Sequence, residues 1–350
     1  MSNISEIRSV QEIKGSYILY LPKDWCSINK ISKGSKVIIK GSRRRLMIEA
    51  ADKGEETINL RIDNYDERSL RYSLISLYVL GYKNIRLESK RNIDLRTRRE
   101  IRSILKFLRG YEIYEEGRNY ILIRESISRT DLEQLVRKEY NSLFFLLKLL
   151  RDEIEKKISK KDNEIEDIKQ FTDLDLEELD SEIDIARLEI KRIYSKILTD
   201  LSIDPGIDPR ILSNIVMISN ILERIADHVV EALRIVMSKE SFVFKSEKIS
   251  ETLDELDRAS FVITSYLDKL LKEIFSNEIR KEFSEEEVSK IIKNLADIVE
   301  TKKLFREKLR EGLGGNPLFE YHITRVFDYL TDIAEYLMDI YTELVISRRI

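Results

Sequence analysis

The sequence predicts a multidomain α+β protein. It contains a small N-terminal β domain, a small α/β domain, and an all-α body of two tandem three-helix bundles. Three observations favour this class. The first 50 residues alternate between apolar and polar as short strands do. The next 70 follow a β-α-β-α-β-β order. Beyond residue 129, apolar residues recur at three- and four-residue steps, the spacing of amphipathic helices.

Length and composition limit the class of protein. A chain of 350 residues suggests two or three domains, and 42% hydrophobic residues are enough for real cores. The single Cys26 excludes an internal disulfide and a multi-cysteine metal site, which fits a reducing compartment. No apolar run reaches about 18 residues, and the N-terminus lacks a signal-peptide core. We therefore expect a cytoplasmic protein without membrane insertion.

Charge is distributed unevenly along the chain. The net charge is −3, but the first 50 residues carry ten Lys or Arg and four Asp or Glu, a net of +6. The other 300 residues therefore carry −9. A basic head (residues 1–50) on an acidic body suggests a polyanion-binding module joined to a part with a different partner.

Turn residues divide the basic head into short elements. Gly15 predicts a turn between two strands, and Pro22 ends the second strand because proline cannot donate to a sheet. A helical turn follows, and strands at 37–40 and 46–49 flank a predicted hairpin loop at 41–45. A module this small cannot bury a core alone, so we expect it to pair with a second copy as a homodimer.

The head resembles the AbrB/SpoVT swapped-hairpin family. The resemblance rests on Arg8, Val10, Gly15, Pro22, Lys23, Gly34, Lys36 and Val37; Ser35 departs from the family's usual Asp. It implies a dimer that presents basic loops to double-stranded DNA, with Arg8, Lys14 and Lys23 as contacts by position. Charge alone adds Arg43, Arg44 and Arg45. The alternative is a basic dimerisation module that never binds DNA.

The middle of the chain predicts a small open sheet with two helices on one face. Strands are expected at 57–63 and 84–88, helices at 67–80 and 96–108, and a hairpin at 111–125. There is no Ser/His/Asp set and no glycine-rich phosphate loop, so no catalytic function is expected. A spacer or dimerisation domain is the favoured interpretation, and a small-ligand site resembling regulatory ACT domains is the alternative.

The helical body divides into six predicted helices, at about 130–161, 173–201, 209–239, 247–275, 285–311 and 316–347. Proline-containing turns at 204–209 and 312–317 precede the third and sixth helices. The predicted domains are therefore 1–52, 55–126, 129–240 and 245–350, the last two being three-helix bundles.

Paired carboxylates mark the third helix of each bundle. Glu223 and Asp227 lie one turn apart, and Asp328 and Asp332 repeat the pattern. Like charges at this spacing repel, which predicts a cation between them. Asp180 and Asp184 on the preceding helix could meet the first pair. In the second bundle, Ala296 and Glu300 take their places.

These bundles resemble PhoU, a family of phosphate-signalling regulators, through the stretch 223–228, its copy at 328–332, and the helix around 180–184. With the AbrB-like head, the whole chain resembles archaeal phosphate-uptake regulators. The family implies metal clusters on these acids. Carboxylates are hard ligands, so Fe, Mn or Mg fits better than Zn. The alternative is a solvated stripe paired with Arg187, Lys191 and Arg224. His228 and His322 are predicted to be packing residues rather than ligands.

We therefore expect a DNA-binding transcriptional regulator that couples phosphate status to gene expression, and not an enzyme. A second hypothesis is an adaptor that docks on a phosphate transporter ATPase or signalling partner and only dimerises through its head. A di-metal carboxylate enzyme is disfavoured because such sites use Glu-x-x-His ligands. Ala226 and Thr331 occupy the positions where those histidines would stand.

Overall fold

A computed structural model of the chain describes residues 6–42, 45–51, 57–126, 131–159, 172–200, 207–238, 244, 246–275, 283–313 and 316–346. Arg43 and Arg44 lie outside the described residues, as do residues 204–206 and 314–315 of the two predicted proline-containing turns. The described part is a small β region, a four-stranded sheet with two helices, and six long helices.

The basic head contains two separate hairpins and one short helix. Strands β1 (Gln11–Ile13) and β2 (Ser16–Ile18) pair through Lys14 and Gly15, which both have positive φ, as a tight two-residue hairpin turn requires. Helix α1 (Lys23–Ile28) follows Pro22. Strand β3 (Val37–Ser42) then pairs with β4 (Arg45–Ala50). The predicted loop at 41–45 is therefore too long, because Gly41 and Ser42 continue the ladder opposite Leu46 and Arg45.

The head has almost no interior within one chain. Among its described side chains only Ala50 is buried. Large apolar side chains are exposed on every described element of the head: Val10, Ile13, Tyr17, Leu19, Ile28, Ile39, Leu46 and Met47.

The middle module (residues 57–126) forms a sheet in the order β5-β6-β8-β7. Its strands are β5 (Thr57–Arg61), β6 (Asn84–Glu88), β7 (Tyr111–Glu116) and β8 (Tyr120–Glu125), and only β5 and β6 run parallel. Helices α2 (Glu67–Val79) and α3 (Leu95–Leu105) begin at the aspartate caps Asp66 and Asp94. Their apolar faces and the sheet enclose one core.

Six helices make the body: α4 (Leu132–Ser159), α5 (Asp173–Thr199), α6 (Pro209–Met237), α7 (Ser246–Phe275), α8 (Glu285–Gly312) and α9 (Pro317–Ile346). The six predicted helices are confirmed to within about three residues at each end. None of the described helices is long and apolar enough to cross a membrane.

Helices α4, α5 and α6 (the first triplet) contact one another pairwise, as do α7, α8 and α9 (the second triplet). The third helix of each triplet also packs against the other, so α6 and α9 lie side by side, and α4 contacts α7. As a result, one continuous apolar core runs through both triplets. The two carboxylate-bearing helices are the central pair of the body.

The middle module packs on α5 around the buried Arg192. The guanidinium of Arg192 lies 4.7 Å from the ring centres of both Tyr78 and Tyr111. It donates to the backbone oxygens of Tyr78 and Tyr82 and to the Tyr111 hydroxyl at 3.0 Å, and it pairs with Glu125 at 3.1 Å. Every side of this charge is therefore engaged, which is how a buried cation is tolerated.

Candidate carboxylate sites and basic head

Helix α6 presents Glu223 and Asp227 because its start and its apolar stripe are well defined. Pro209 occupies the first turn, and the carboxylate of Asp208 caps the helix by accepting from the Arg210 amide. Buried residues then follow at helical spacing down to Val236, leaving the two acids beside the core rather than in it. On α5, a Thr172–Asp175 capping box sets the helix start ahead of Asp180 and Asp184.

In the first triplet, the cation between the carboxylates is a protein side chain. Arg187 Nη2 lies 2.6 Å from Asp184 Oδ1 and 3.2 Å from Glu223 Oε1. Arg187 is one turn beyond Asp184 on α5, so a single guanidinium joins an acid on its own helix to an acid on α6. This geometry favours the ion-paired interpretation of these two acids.

Asp180 and Asp227 form no ion pair with a described residue, and both are perturbed. Desolvation, then the charges of Asp227 and Asp184, raise the pKa of Asp180 to about 6. Desolvation and the charge of Asp184 raise the pKa of Asp227. Desolvation also raises the pKa of Glu223, against the opposing effect of Arg187. One arginine does not neutralise four acids, so the repulsion that remains between them destabilises the folded chain.

A fifth acid, Glu139 on α4, was missed by sequence reasoning. Its side chain is fully buried, and Oε1 accepts from the Ser219 hydroxyl of α6 at 2.8 Å, while Oε2 has no described partner. Burial raises the pKa of Glu139 well above its ordinary value. The available signal was a glutamate inside the apolar stripe of α4, between Val136 and Leu143.

In the second triplet, three cationic side chains surround Asp328. Arg306 Nη2 donates to both of its oxygens, at 2.7 and 2.8 Å. Lys302 lies at 3.3 Å and Arg325 at 3.5 Å. Asp332 is partly buried and Glu300 is exposed, and neither forms an ion pair with a described residue. The three acids of the predicted second metal site are therefore not grouped. Asp328 belongs to an ion-pair network, and Asp332 and Glu300 are separate from it.

Neither acid set fits a resident metal ion as the side chains are placed. Among the residues that the structure describes, no three His, Cys, Asp or Glu side chains are grouped to hold one. In the first triplet Arg187 takes the position that a cation would need, and in the second Arg306 does so. No metal-dependent role is therefore assigned to the predicted ligands Asp180, Asp184, Glu223, Asp227, Glu300, Asp328 and Asp332.

His228 and His322 meet where α6 packs on α9. Their Nδ1 atoms lie 2.9 Å apart, and the ring of Tyr329 stacks on His228 with centres 5.8 Å apart. Burial lowers the pKa of both imidazoles, and their mutual repulsion lowers that of His228 further. The two histidines thus join the two triplets, which agrees with the packing role predicted for them.

Among the basic residues predicted to contact DNA, Arg8, Lys14 and Lys23 are exposed. Lys14 lies in the turn of the first hairpin with φ of 50°, and Lys23 begins α1. Arg8 precedes β1 and pairs with Glu6, its Nε lying 2.7 Å from Glu6 Oε2. Arg45 begins β4 opposite Ser42. The positions around the first hairpin therefore carry positive charge outward from strands that also expose apolar side chains.

No known family model matches the chain, and no curated protein or solved structure shows significant similarity to it. The family resemblances are therefore carried by the motifs of the sequence alone.

Proposed function

We propose that this chain is a dimeric DNA-binding regulator, with the basic head on the duplex and the helical body as the part that receives a signal. The observation that carries the proposal is the head's missing core. Its strands and helix expose large apolar side chains in one chain, beside exposed Lys14 and Lys23. Exposed apolar surface of this extent on so small a module marks an interface.

A second copy of the head supplies the simplest cover for that surface. Two hairpin modules with matching apolar faces form one core about a two-fold axis, and each basic loop then occurs twice. A pair of basic loops related by a two-fold axis suits a duplex, whose two phosphate backbones are themselves related by two-fold symmetry. The resemblance to PhoU adds the nature of the signal: phosphate status, with phosphate-uptake genes as targets.

The competing candidate is a PhoU-type adaptor whose body docks on a transporter or signalling protein. Phe261 on α7 and Leu304 on α8 are large apolar side chains exposed on the body, at 68% and 48%, and are available to such a partner. In that case the head would dimerise without binding DNA.

Duplex binding separates the two candidates. Fluorescence anisotropy with a labelled mixed-sequence duplex should give binding that weakens linearly in a plot of log affinity against log salt. The triple variant R8A/K14A/K23A should lose most of that affinity, whereas the control K90A/K293A/K303A, which removes equal charge outside the head, should keep it. Absence of duplex binding by the wild-type chain at about 50 mM salt contradicts the regulator and leaves the adaptor.

A further inference from the structure

A cavity of about 730 Å³ lies between the middle module and the first triplet. Helix α2 and Phe107 form one wall, and α5 forms the opposite wall with a contribution from Val216 of α6. Cavities of this size accept small organic molecules. Neither the DNA-binding head nor the histidine contact forms part of it, although Asp184 and Arg187 of the first carboxylate site line its α5 wall.

The chemistry of the cavity divides into an apolar side and a cationic side. Tyr72, Ile75 and Phe107 offer aromatic and aliphatic surface, and the Tyr72 side chain is 70% exposed. Arg71, Arg187 and Lys191 supply three positive charges. Arg71 lies 3.9 Å from Glu100, and Arg187 pairs with Asp184 and Glu223, so Lys191 is the lining cation without an ion pair to a described residue. The unpaired charge of Lys191 on this side favours a ligand with an anionic group.

Lys191 is the cation that most needs a counter-ion. It is partly buried and forms no ion pair with any described residue, while Arg187 stands one turn before it on α5. Burial and the positive charge of Arg187 lower the pKa of the Lys191 amine. An anion placed in the cavity would relieve both effects.

Arg187 is also incompletely satisfied. Its Nη2 serves Asp184 and Glu223, but its buried Nε has no described hydrogen-bond partner. A guanidinium beside a lysine ammonium is a common arrangement for binding phosphate oxygens, with the arginine supplying directional donors and the lysine a point charge.

We propose that this cavity binds a nucleoside monophosphate, with the phosphate on Arg187 and Lys191 and the base against Tyr72 and Phe107. The match has two parts. The ligand carries one dianionic group for the cationic side, and its flat aromatic base suits the apolar side. There the Arg71 guanidinium lies 5.6 Å from the Phe107 ring centre and can stack on a base. Binding at this site does not depend on DNA recognition by the head.

A ligand bound in the cavity would also affect the first carboxylate site. Arg187 is the group that joins Asp184 to Glu223 across α5 and α6. A phosphate that draws on the same guanidinium competes with these acids, so the bound ligand alters the ion pair between two helices of the body.

Calorimetric titration of the full chain with AMP, GMP, CMP and UMP tests the proposal. Adenosine, guanosine, cytidine, uridine and inorganic phosphate serve as probes that carry only one part of the ligand. At least one monophosphate should bind at least about tenfold more tightly than its nucleoside and than inorganic phosphate. K191M and R71M should each weaken that binding about tenfold, and the control K303M, an exposed lysine on α8, should not.

Thermal unfolding of the variants checks that they remain folded, and loss of the partly desolvated Lys191 charge should not unfold the chain. Two results overturn the proposal. One is that none of the four monophosphates binds at about 5 mM, a concentration at which even a weak specific site is occupied. The other is that a monophosphate binds equally well to wild type, K191M and R71M.

Discussion

The Nδ1 atoms of His228 and His322 lie 2.9 Å apart across the contact between α6 and α9. At this distance one ring must donate and the other accept, so at most one of the two Nδ1 atoms carries a proton. The charge of Glu231 favours protonation of both rings, and that of Arg325 opposes protonation of His228. The contact between the two triplets is therefore sensitive to protonation.

The histidine pair predicts a loss of stability on acidification. Both imidazoles have a lowered pKa in the folded chain, so the unfolded chain binds more protons below pH 6.5. Stability due to the pair is full above about pH 6.5 and is lost as the pH falls through the folded pKa values. Between pH 7 and pH 5, the free energy of unfolding measured in urea should fall by roughly 1 kcal/mol less in H228Q/H322Q than in wild type. Parallel curves for the two proteins would contradict this role.

Asp180 predicts the opposite pH dependence. Its pKa is raised from 3.8 to about 6, so the folded chain binds the proton more tightly than the unfolded chain. Stability due to this group is present below pH 3.8 and is lost as the pH rises through about 6. D180N should therefore be more stable than wild type at pH 7, by roughly 1–2 kcal/mol after allowance for solvent screening, and no more stable at pH 3.5. D173N, at an exposed position of the same helix, is the control.

Arg187 should matter more to stability than its counterpart in the second triplet. R187M leaves Asp184 and Glu223 without their shared cation and should cost about 2 kcal/mol. R306M should cost less, about 0.5–1 kcal/mol, because Lys302 and Arg325 remain beside Asp328. Chemical denaturation measures the free energy of unfolding of both variants. A larger loss in R306M than in R187M would contradict the greater importance of Arg187.

Metal addition distinguishes Arg187 from a metal ion as the cation of the first carboxylate site. MnCl2 should leave the melting temperature of wild type unchanged and should raise that of R187M, where the acids lack a counter-charge. Elemental analysis of wild type is the matched measurement. Stoichiometric Fe or Mn that is lost in E223A would instead support the metal cluster that the PhoU resemblance implies.

Arg192 should control the attachment of the middle module to α5. Its guanidinium is buried between Tyr78 and Tyr111, and replacement by methionine leaves several carbonyl and carboxylate acceptors unpaired. R192M should lose about 3 kcal/mol and gain hydrogen exchange in α2 and β7. R210M, which removes an exposed arginine, should change neither.

The sequence predicts helices well and tertiary partners poorly. Long runs of apolar residues at regular spacing define α4 to α9 because the period accumulates over several turns. The hairpin of β3 and β4 was predicted, but its loop at 41–45 was predicted too long, since a glycine favours a turn locally while the ladder opposite Leu46 continues through Gly41. Burial of Glu139 and the two-tyrosine contact of Arg192 depend on which helices meet. No local pattern specifies that.

The same limit applies to the candidate sites. The spacing of Glu223 and Asp227 predicted a cation between them; Arg187 pairs with Glu223, whereas Asp227 forms no ion pair with a described residue. Spacing alone did not decide between a metal ion and Arg187, because the arginine reaches the acids across two helices. The cavity was not predictable either, since Tyr72 and Phe107 of one wall lie 80 or more residues from Arg187 and Lys191 of the other.

The salt dependence of duplex binding by K14A, compared with wild type, tests the central claim most directly. Lys14 occupies the turn of the first hairpin, and a dimer presents it twice. If the head binds phosphates as a two-fold dimer, the slope of log affinity against log salt should become less negative by about 2 in K14A. An unchanged slope, or no duplex binding by either protein, would contradict a dimeric head that binds DNA.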